Sequence, residues 1–272
     1  MTDVLRVAVA QARSRSGDVI CNATALAGLV ETAATGGARL VVTPELFLSG
    51  YDLSALATDR SLDLLGADDP RLAPVREACR RTRTVAVVSA SMLAARGRTI
   101  AIVVVDGQGH ASHAYDKQHL LRNESRIFSR GAHGALVHVD GWSLGLGVCY
   151  DGCFPEHARA AAEAGAFGYL VPAAYVVGSE HRRDLYYAAR ALDNGMYVAM
   201  AGLVGPCGPE TFGGGSAVHD PEGRRVCGVD DGQVGFGFAD LDRRAVESTR
   251  EKQAMGRDRA VDLGPIESLT AV

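Results

Sequence analysis

The feature that most restricts the fold is a regular alternation of short β-branched runs with longer alanine-rich stretches. Val7 to Val9 is followed by Ala23 to Ala34, then Leu40 to Val42, a helical stretch from Pro74 to Arg83, and Val85 to Ser89. Short apolar strands alternating with helix-length segments read as an α/β chain. Ile100 to Val105 and Ala111 to Tyr115 flank Asp106-Gly107-Gln108-Gly109. Glycine accepts positive φ, so this segment reads as a hairpin turn and the sheet is expected to be mixed. The rhythm then resumes: strand Trp142 to Val148, helix Glu156 to Ala164, strand Tyr169 to Val171, helix Arg182 to Asp193, strand Val198 to Ala201. Late in the chain, Gly213 to Val218 and Val234 to Ala239 flank Asp220-Pro221-Glu222-Gly223, a second expected hairpin. The pattern weakens after Arg243, and the tail 243–272 is expected to pack on the body or on a second subunit.

Composition narrows the partners. The chain has 272 residues, 47% of them hydrophobic, enough for one thick core, and no linker divides it, so residues 1–272 are expected to form a single domain. Its net charge is −4 and its Lys and Arg residues are scattered. No basic face for nucleic acid or anionic lipid follows from that, and a small-molecule partner fits better. No apolar run approaches the roughly 20 residues of a membrane span, and no leader pattern opens the chain, so a soluble cytoplasmic protein is expected. Six irregularly spaced cysteines do not make a disulfide framework and fit a reducing compartment.

Three positions at strand ends carry chemistry, and each has a plainer reading beside it. Glu45 follows Leu40-Val41-Val42-Thr43-Pro44, where a buried strand runs into a proline and a carboxylate. The plainer reading is a helix N-terminal acid. Lys117, in Tyr115-Asp116-Lys117-Gln118-His119-Leu120, is either half of a solvated surface pair or a fixed cation beside a reacting carbonyl. Cys149 lies in Gly145-Leu146-Gly147-Val148-Cys149-Tyr150-Asp151-Gly152-Cys153-Phe154-Pro155-Glu156. A strand that ends in glycines and a cysteine and turns into a helix opened by proline reads as a nucleophile elbow. A helix N-terminus and a nearby lysine would lower the thiol pKa; against this, free cysteine is among the most buried residue types. The Cys149/Cys153 spacing is a weak zinc or redox signal, because no second Cys or His pair stands at motif spacing. A Cys-His pair with His113, His119, His133 or His138 as base is the next competitor; spacing does not exclude it, but no histidine has a strand-end context as distinctive as that of Glu45.

Taken together, these segments resemble the nitrilase superfamily of carbon-nitrogen hydrolases. The glutamate motif is Val42-Thr43-Pro44-Glu45 with Ser49-Gly50-Tyr51, the lysine motif Tyr115 to Leu120, and the cysteine motif Gly147 to Asp151 with Phe154-Pro155-Glu156. Glu124, Phe128 and Gly131 match the stretch after the lysine. Arg190-Ala191-Leu192-Asp193-Asn194 and Phe212-Gly213-Gly214-Gly215-Ser216 match later segments, with Asp193 where the family has glutamate. The resemblance covers residues 5 to about 240.

It implies an α/β fold, a four-layer α-β-β-α sandwich with two mixed sheets, paired with a second subunit as a homodimer or higher homo-oligomer. It also implies catalysis by Glu45, Lys117 and Cys149, with Glu124 in support and an oxyanion held by Lys117 and the N–H of Tyr150. A small amide and water are the implied reactants, with no metal or organic cofactor. Tyr51, Ala173, Ala174 and Tyr175 are the candidates for shaping the pocket. Tyr150 stands where nitrile-cleaving members carry tryptophan, which is similar to the amidase side. N-carbamoyl amine hydrolysis is the nearest alternative, then nitrile cleavage or a silent scaffold on the same fold. Gly152 and Cys153 stand where relatives that bind a substrate carboxylate place arginine, leaving Arg126, Arg130, Arg182 or Arg183 to supply such an anchor.

Overall fold

The computed structural model describes residues 3–94 and 97–269, so the last three residues of the expected tail lie outside the described residues. Its first half runs β1 (Val4–Gln11), α1 (Val19–Thr35), β2 (Leu40–Val42), α2 (Leu53–Thr58), α3 (Ala73–Thr82), β3 (Val85–Ala94), β4 (Gly97–Val105) and β5 (Ala111–Asp116). The second continues β6 (Ala135–Val139), β7 (Trp142–Leu146), α4 (Pro155–Glu163), β8 (Gly168–Ala173), α5 (Glu180–Asn194), β9 (Tyr197–Gly202), β10 (Val204–Cys207) and β11 (Glu210–Gly213). β12 (Ala217–His219), β13 (Arg225–Gly228), β14 (Gly235–Asp242), α6 (Arg243–Lys252) and α7 (Met255–Asp258) complete it. No helix among the described residues is long and apolar enough to cross a membrane.

The strands form two six-stranded mixed sheets, in the orders β14-β1-β2-β3-β4-β5 and β13-β12-β9-β8-β7-β6. The two follow one plan: β1, β2 and β3 are parallel neighbours, as are β7, β8 and β9, and antiparallel strands flank each trio. β1 packs on β9, and β2 and β3 pack on β8, so the sheets face each other across a shared apolar core. Strands buried on both faces need continuous apolar runs, which Leu40-Val41-Val42 and Leu170-Val171 supply. Helices α1 and α3 cover one outer face and α4 and α5 the other, giving four layers, α-β-β-α. Helix α1 turns Val19, Ala23, Leu26, Val30 and Ala33 inward, the spacing of one helical face.

The late hairpin departs from expectation. The turn at Asp220 to Gly223 joins β12 to β13, while β14 crosses to the other sheet and pairs antiparallel along β1, from Val4 opposite Asp242 to Gln11 opposite Gly235. Without that partner β1 would present an open sheet edge, which β14 covers. Strand β6 and the β10–β11 hairpin are further elements that alternation alone does not signal, because their burial does not alternate cleanly.

Near the edge of the first sheet, a buried ion pair fastens the segment around α2. Arg98 and Asp63 are both 3% exposed. The Arg98 Nε donates to Asp63 Oδ1 at 2.5 Å, and its other nitrogens donate to the carbonyls of Leu56 and Asp59. Replacing Arg98 by Met strands the Asp63 charge, so Arg98→Met is expected to cost about 3–5 kcal/mol in urea unfolding, and the double change with Asp63→Leu to recover most of it.

Candidate active site

Three strand ends meet between the sheets. Beyond β2, the Glu45 N–H donates to the Ala173 carbonyl at the end of β8 in the opposite sheet, at 3.3 Å. Leu46 then takes φ 49° and donates its N–H to Ser89 Oγ at 3.1 Å. Lys117 follows β5, its N–H on the Ile100 carbonyl at 2.9 Å. After β7, Cys149 takes φ 44° and opens a 3₁₀ turn, Cys149–Cys153, before α4 begins at Pro155. The expected strand-to-helix elbow therefore contains one tighter turn. Left-handed backbone at a non-glycine residue costs about 1–3 kcal/mol and persists only where its surroundings enforce it. One enforcing contact is at Gly147, where a Cβ would overlap the Tyr169 hydroxyl.

Glu45, Lys117 and Glu124 are fully buried, and Cys149 is 5% exposed. The Lys117 ammonium donates to Glu45 Oε1 at 2.7 Å and to both oxygens of Glu124 at 2.7 and 2.9 Å. Glu124 also accepts from the Tyr51 hydroxyl at 2.6 Å and the Leu121 N–H at 2.8 Å. Burial alone would push Lys117 down, but the two carboxylates outweigh it and raise its pKa. Burial raises Glu45 to about 7, with Lys117 opposing. The second Glu45 oxygen, Oε2, is buried and has no hydrogen-bond partner among the described residues, and the Cys149 thiol is near enough to this carboxyl to oppose the rise in its pKa. The thiol itself lies well above its ordinary pKa, raised by burial and by Glu45 against the pull of Lys117. That reverses the lowering expected from the elbow and the lysine. A thiol enclosed this far, with a carboxyl beside it, stays neutral until a base takes its proton.

Beneath the elbow, Asp151 gathers donors from both sheets. Its Oδ2 accepts from the Val148 N–H at 2.9 Å and the Tyr115 hydroxyl at 2.7 Å. Its Oδ1 accepts from the His119 N–H at 2.8 Å and lies 2.9 Å from His119 Nδ1. His157 sits between the Tyr115 and Tyr169 hydroxyls, each ring nitrogen at 2.8 Å from one of them. His119, Asp151 and His157 are close enough together to suggest a metal. Their chemistry does not fit one: the carboxylate is filled with N–H and O–H donors, and both His157 nitrogens are occupied. No histidine among the described residues hydrogen-bonds the Cys149 thiol, whose Sγ faces the Ala174 carbonyl at 3.8 Å; His113 instead contacts Asp116 at 2.8 Å.

A cavity of about 510 Å³ opens onto Cys149, and Tyr51, Tyr150, Ala174 and Tyr175 line it. Ala173 does not; it is fully buried, and its carbonyl holds the N–H groups of Glu45 and Leu203. Cys153 is on the wall, its Sγ 3.6 Å from the Tyr175 hydroxyl. That hydroxyl meets Tyr187, which donates to the Cys149 carbonyl at 3.1 Å. Of the four arginines considered as anchors, Arg182 lines the cavity, whereas Arg183 is committed to Asp184, Asp231 and the Gly214 carbonyl. Asp151, Tyr115 and Tyr187 are the residues that sequence reasoning left without a role. For the first two the signal was present, an acid two places after the cysteine and a tyrosine two places before the lysine.

The family model of carbon-nitrogen hydrolases matches residues 6–251. The "Hydrolase in pqqF 5′ region" of Pseudomonas protegens is 32% identical over 261 residues, covering 95% of this chain and 87% of that one. A double mutant of the amidase from Nesterenkonia sp. AN1, solved in complex with acrylamide, aligns with a TM-score of 0.83 at 28% identity over 95% of both chains. A second structure of that amidase carries the acetamide moiety of fluoroacetamide covalently on its active-site cysteine; it aligns with a TM-score of 0.80 at 29% identity over 94% and 97% of the chains.

The Asp151 contacts predict a measurable pH signature. Burial would raise this carboxyl, but hydrogen bonding by His119 and the field of His157 outweigh it and hold its pKa low. A depressed carboxyl contributes its stability above the ordinary carboxylate range and loses it as pH falls through the folded value. Asp151→Asn, which turns a donor toward groups that are themselves donors, is expected to cost about 1–3 kcal/mol at neutral pH. In urea unfolding across pH, the gap between wild type and this variant should close toward acid.

Proposed function

The chain belongs to the carbon-nitrogen hydrolase family, and on that premise we propose that it hydrolyses a small carboxamide through a thioester on Cys149. The observation that carries the reading is the state of Glu45: one oxygen is fixed by Lys117, and the other is buried beside the thiol with no protein donor at hydrogen-bond geometry. A neutral thiol needs a base, and a carboxylate raised to about 7 is matched to take and return a proton near neutral pH.

Glu45 takes the S–H proton as the sulfur attacks the amide carbon. The oxygen of the tetrahedral adduct lies against Lys117 and the Tyr150 N–H, donors fixed before the charge develops. Collapse breaks the C–N bond, Glu45 returns its proton to the leaving nitrogen, and ammonia or an amine departs. An acyl thioester remains on Cys149. Water then gives a proton to Glu45 and attacks the thioester; collapse breaks the C–S bond and releases the carboxylic acid, and Glu45 returns its proton to the departing sulfur, restoring the thiol. Glu124 acts as a positioning residue for Lys117: its two oxygens already accept from the ammonium, the Tyr51 hydroxyl and the Leu121 N–H. Support for an amide comes from the Nesterenkonia amidase, captured with acrylamide and with an acetamide group on its cysteine.

Ammonia release from a panel of carboxamides, with intact-mass detection of an acyl adduct, tests the scheme. Cys149→Ala is expected to abolish turnover and the adduct, and Glu45→Gln to lower kcat by about 10²–10⁴-fold. Turnover that survives Cys149→Ala would overturn the mechanism. Because Glu45 must be ionised to act as base, kcat/KM is expected to fall as pH drops through about 7, well above the ordinary carboxylate range.

A further inference from the structure

Two charges at the mouth of the cavity over Cys149 have no partner among the described residues. Arg182 and Glu210 both line it, both are exposed, and neither makes an ion pair or side-chain hydrogen bond among the described residues. Their neighbours differ: Arg183 is buried in its own ion pairs, and Glu180 accepts from the Gly178 N–H at 2.9 Å. The two segments that carry the free charges are stitched together. Val176 bridges Phe212, and the Val177 N–H donates to the Thr211 carbonyl at 3.0 Å. The first turn of α5, with Arg182, and the start of β11, with Glu210, are thus held at one rim. Tyr186, one helical turn beyond Arg182, faces the same space.

Between this rim and the thiol the walls are aromatic and uncharged. The Tyr51 and Phe212 rings meet edge-to-face at 5.4 Å, and Tyr175 stands beside them. The cavity thus has a reacting floor, an uncharged shaft and a mouth of both signs. A neutral amide would leave both rim charges unused. A purely anionic one would gain from Arg182 and lose to Glu210. We propose that the substrate is an amide whose far end carries a carboxylate and an ammonium together, the ω-amide of an α-amino acid, with the carboxylate on Arg182 and the ammonium on Glu210. This rests on the amide-hydrolase reading above.

Three amides of one five-carbon skeleton test it by ammonia release: pentanamide, 5-amino-5-oxopentanoate and DL-glutamine. Exposed ion pairs contribute little each, so KM should be about three- to tenfold lower for glutamine than for pentanamide. Arg182→Gln is expected to raise KM for both charged amides and leave pentanamide unchanged. Glu210→Gln is expected to raise KM for glutamine and lower it for 5-amino-5-oxopentanoate. Equal KM values for all three, or variants that move all three alike, would overturn the inference. So would preference for 5-amino-5-oxopentanoate with Glu210→Gln silent. No ammonia from any of the three while another carboxamide is turned over would overturn this inference alone; no ammonia from the whole carboxamide panel, while Cys149 still alkylates with iodoacetamide, would overturn the hydrolase reading and this inference with it.

Discussion

Glu45 and Lys117 reach the candidate site from one sheet and Cys149 from the other, and among the described residues only an isolated bridge, Ala12 to Leu203, links the two sheets as β structure. Their mutual geometry therefore depends on whatever registers the sheets at that level. The Asp151 carboxylate does so, because it binds the Val148 N–H of the elbow and, at the same time, the His119 N–H and Tyr115 hydroxyl of the lysine turn. A buried anion with every lone pair engaged is stiff, since releasing any donor leaves it unsatisfied in a low-dielectric interior. The Glu45 N–H on the Ala173 carbonyl adds a second tie from the opposite side.

Within that frame the electrostatics are set by crowding. Glu45, Lys117 and Cys149 share a buried volume with Glu124, and the pKa of each of these three is a compromise between desolvation and neighbours. The thiol comes out high rather than low because burial and the Glu45 charge together exceed what Lys117 offers. In the proposed mechanism the sulfur depends on a neighbouring base, in contrast to cysteines that are ionised at rest beside a helix N-terminus. The tight turn from Cys149 to Cys153, placed ahead of α4, also separates the sulfur from a full helix end.

Much of this was legible in the chain itself. Residues close in sequence encode the strand-end positions of Glu45, Lys117 and Cys149, and the periodicity marks most strands and all four covering helices. What escaped depends on distant partners. Strand β14 looks locally like the second arm of a hairpin, yet it leaves its sheet because β1 offers a longer open edge. The thiol pKa depends on enclosure by several segments, which no window around Cys149 contains. Ala173 stands at a strand end as expected, but the pleat turns its side chain away from the cavity and presents its carbonyl to Glu45 instead. Arg182 could be named as one of four arginines and no further, because choosing among them requires the fold.

The shared plan of the two sheets has a consequence for how such a site is assembled. Each half of the chain builds a parallel trio with antiparallel flanks, but the halves are chemically unequal: one contributes the acid and the cation, the other the sulfur and the clamp. The proposed mechanism needs both, because the candidate site lies along their seam. On that proposal, loss of registry between the halves would switch the chemistry off before either half had unfolded, so turnover would report on the seam more sensitively than any measure of secondary structure.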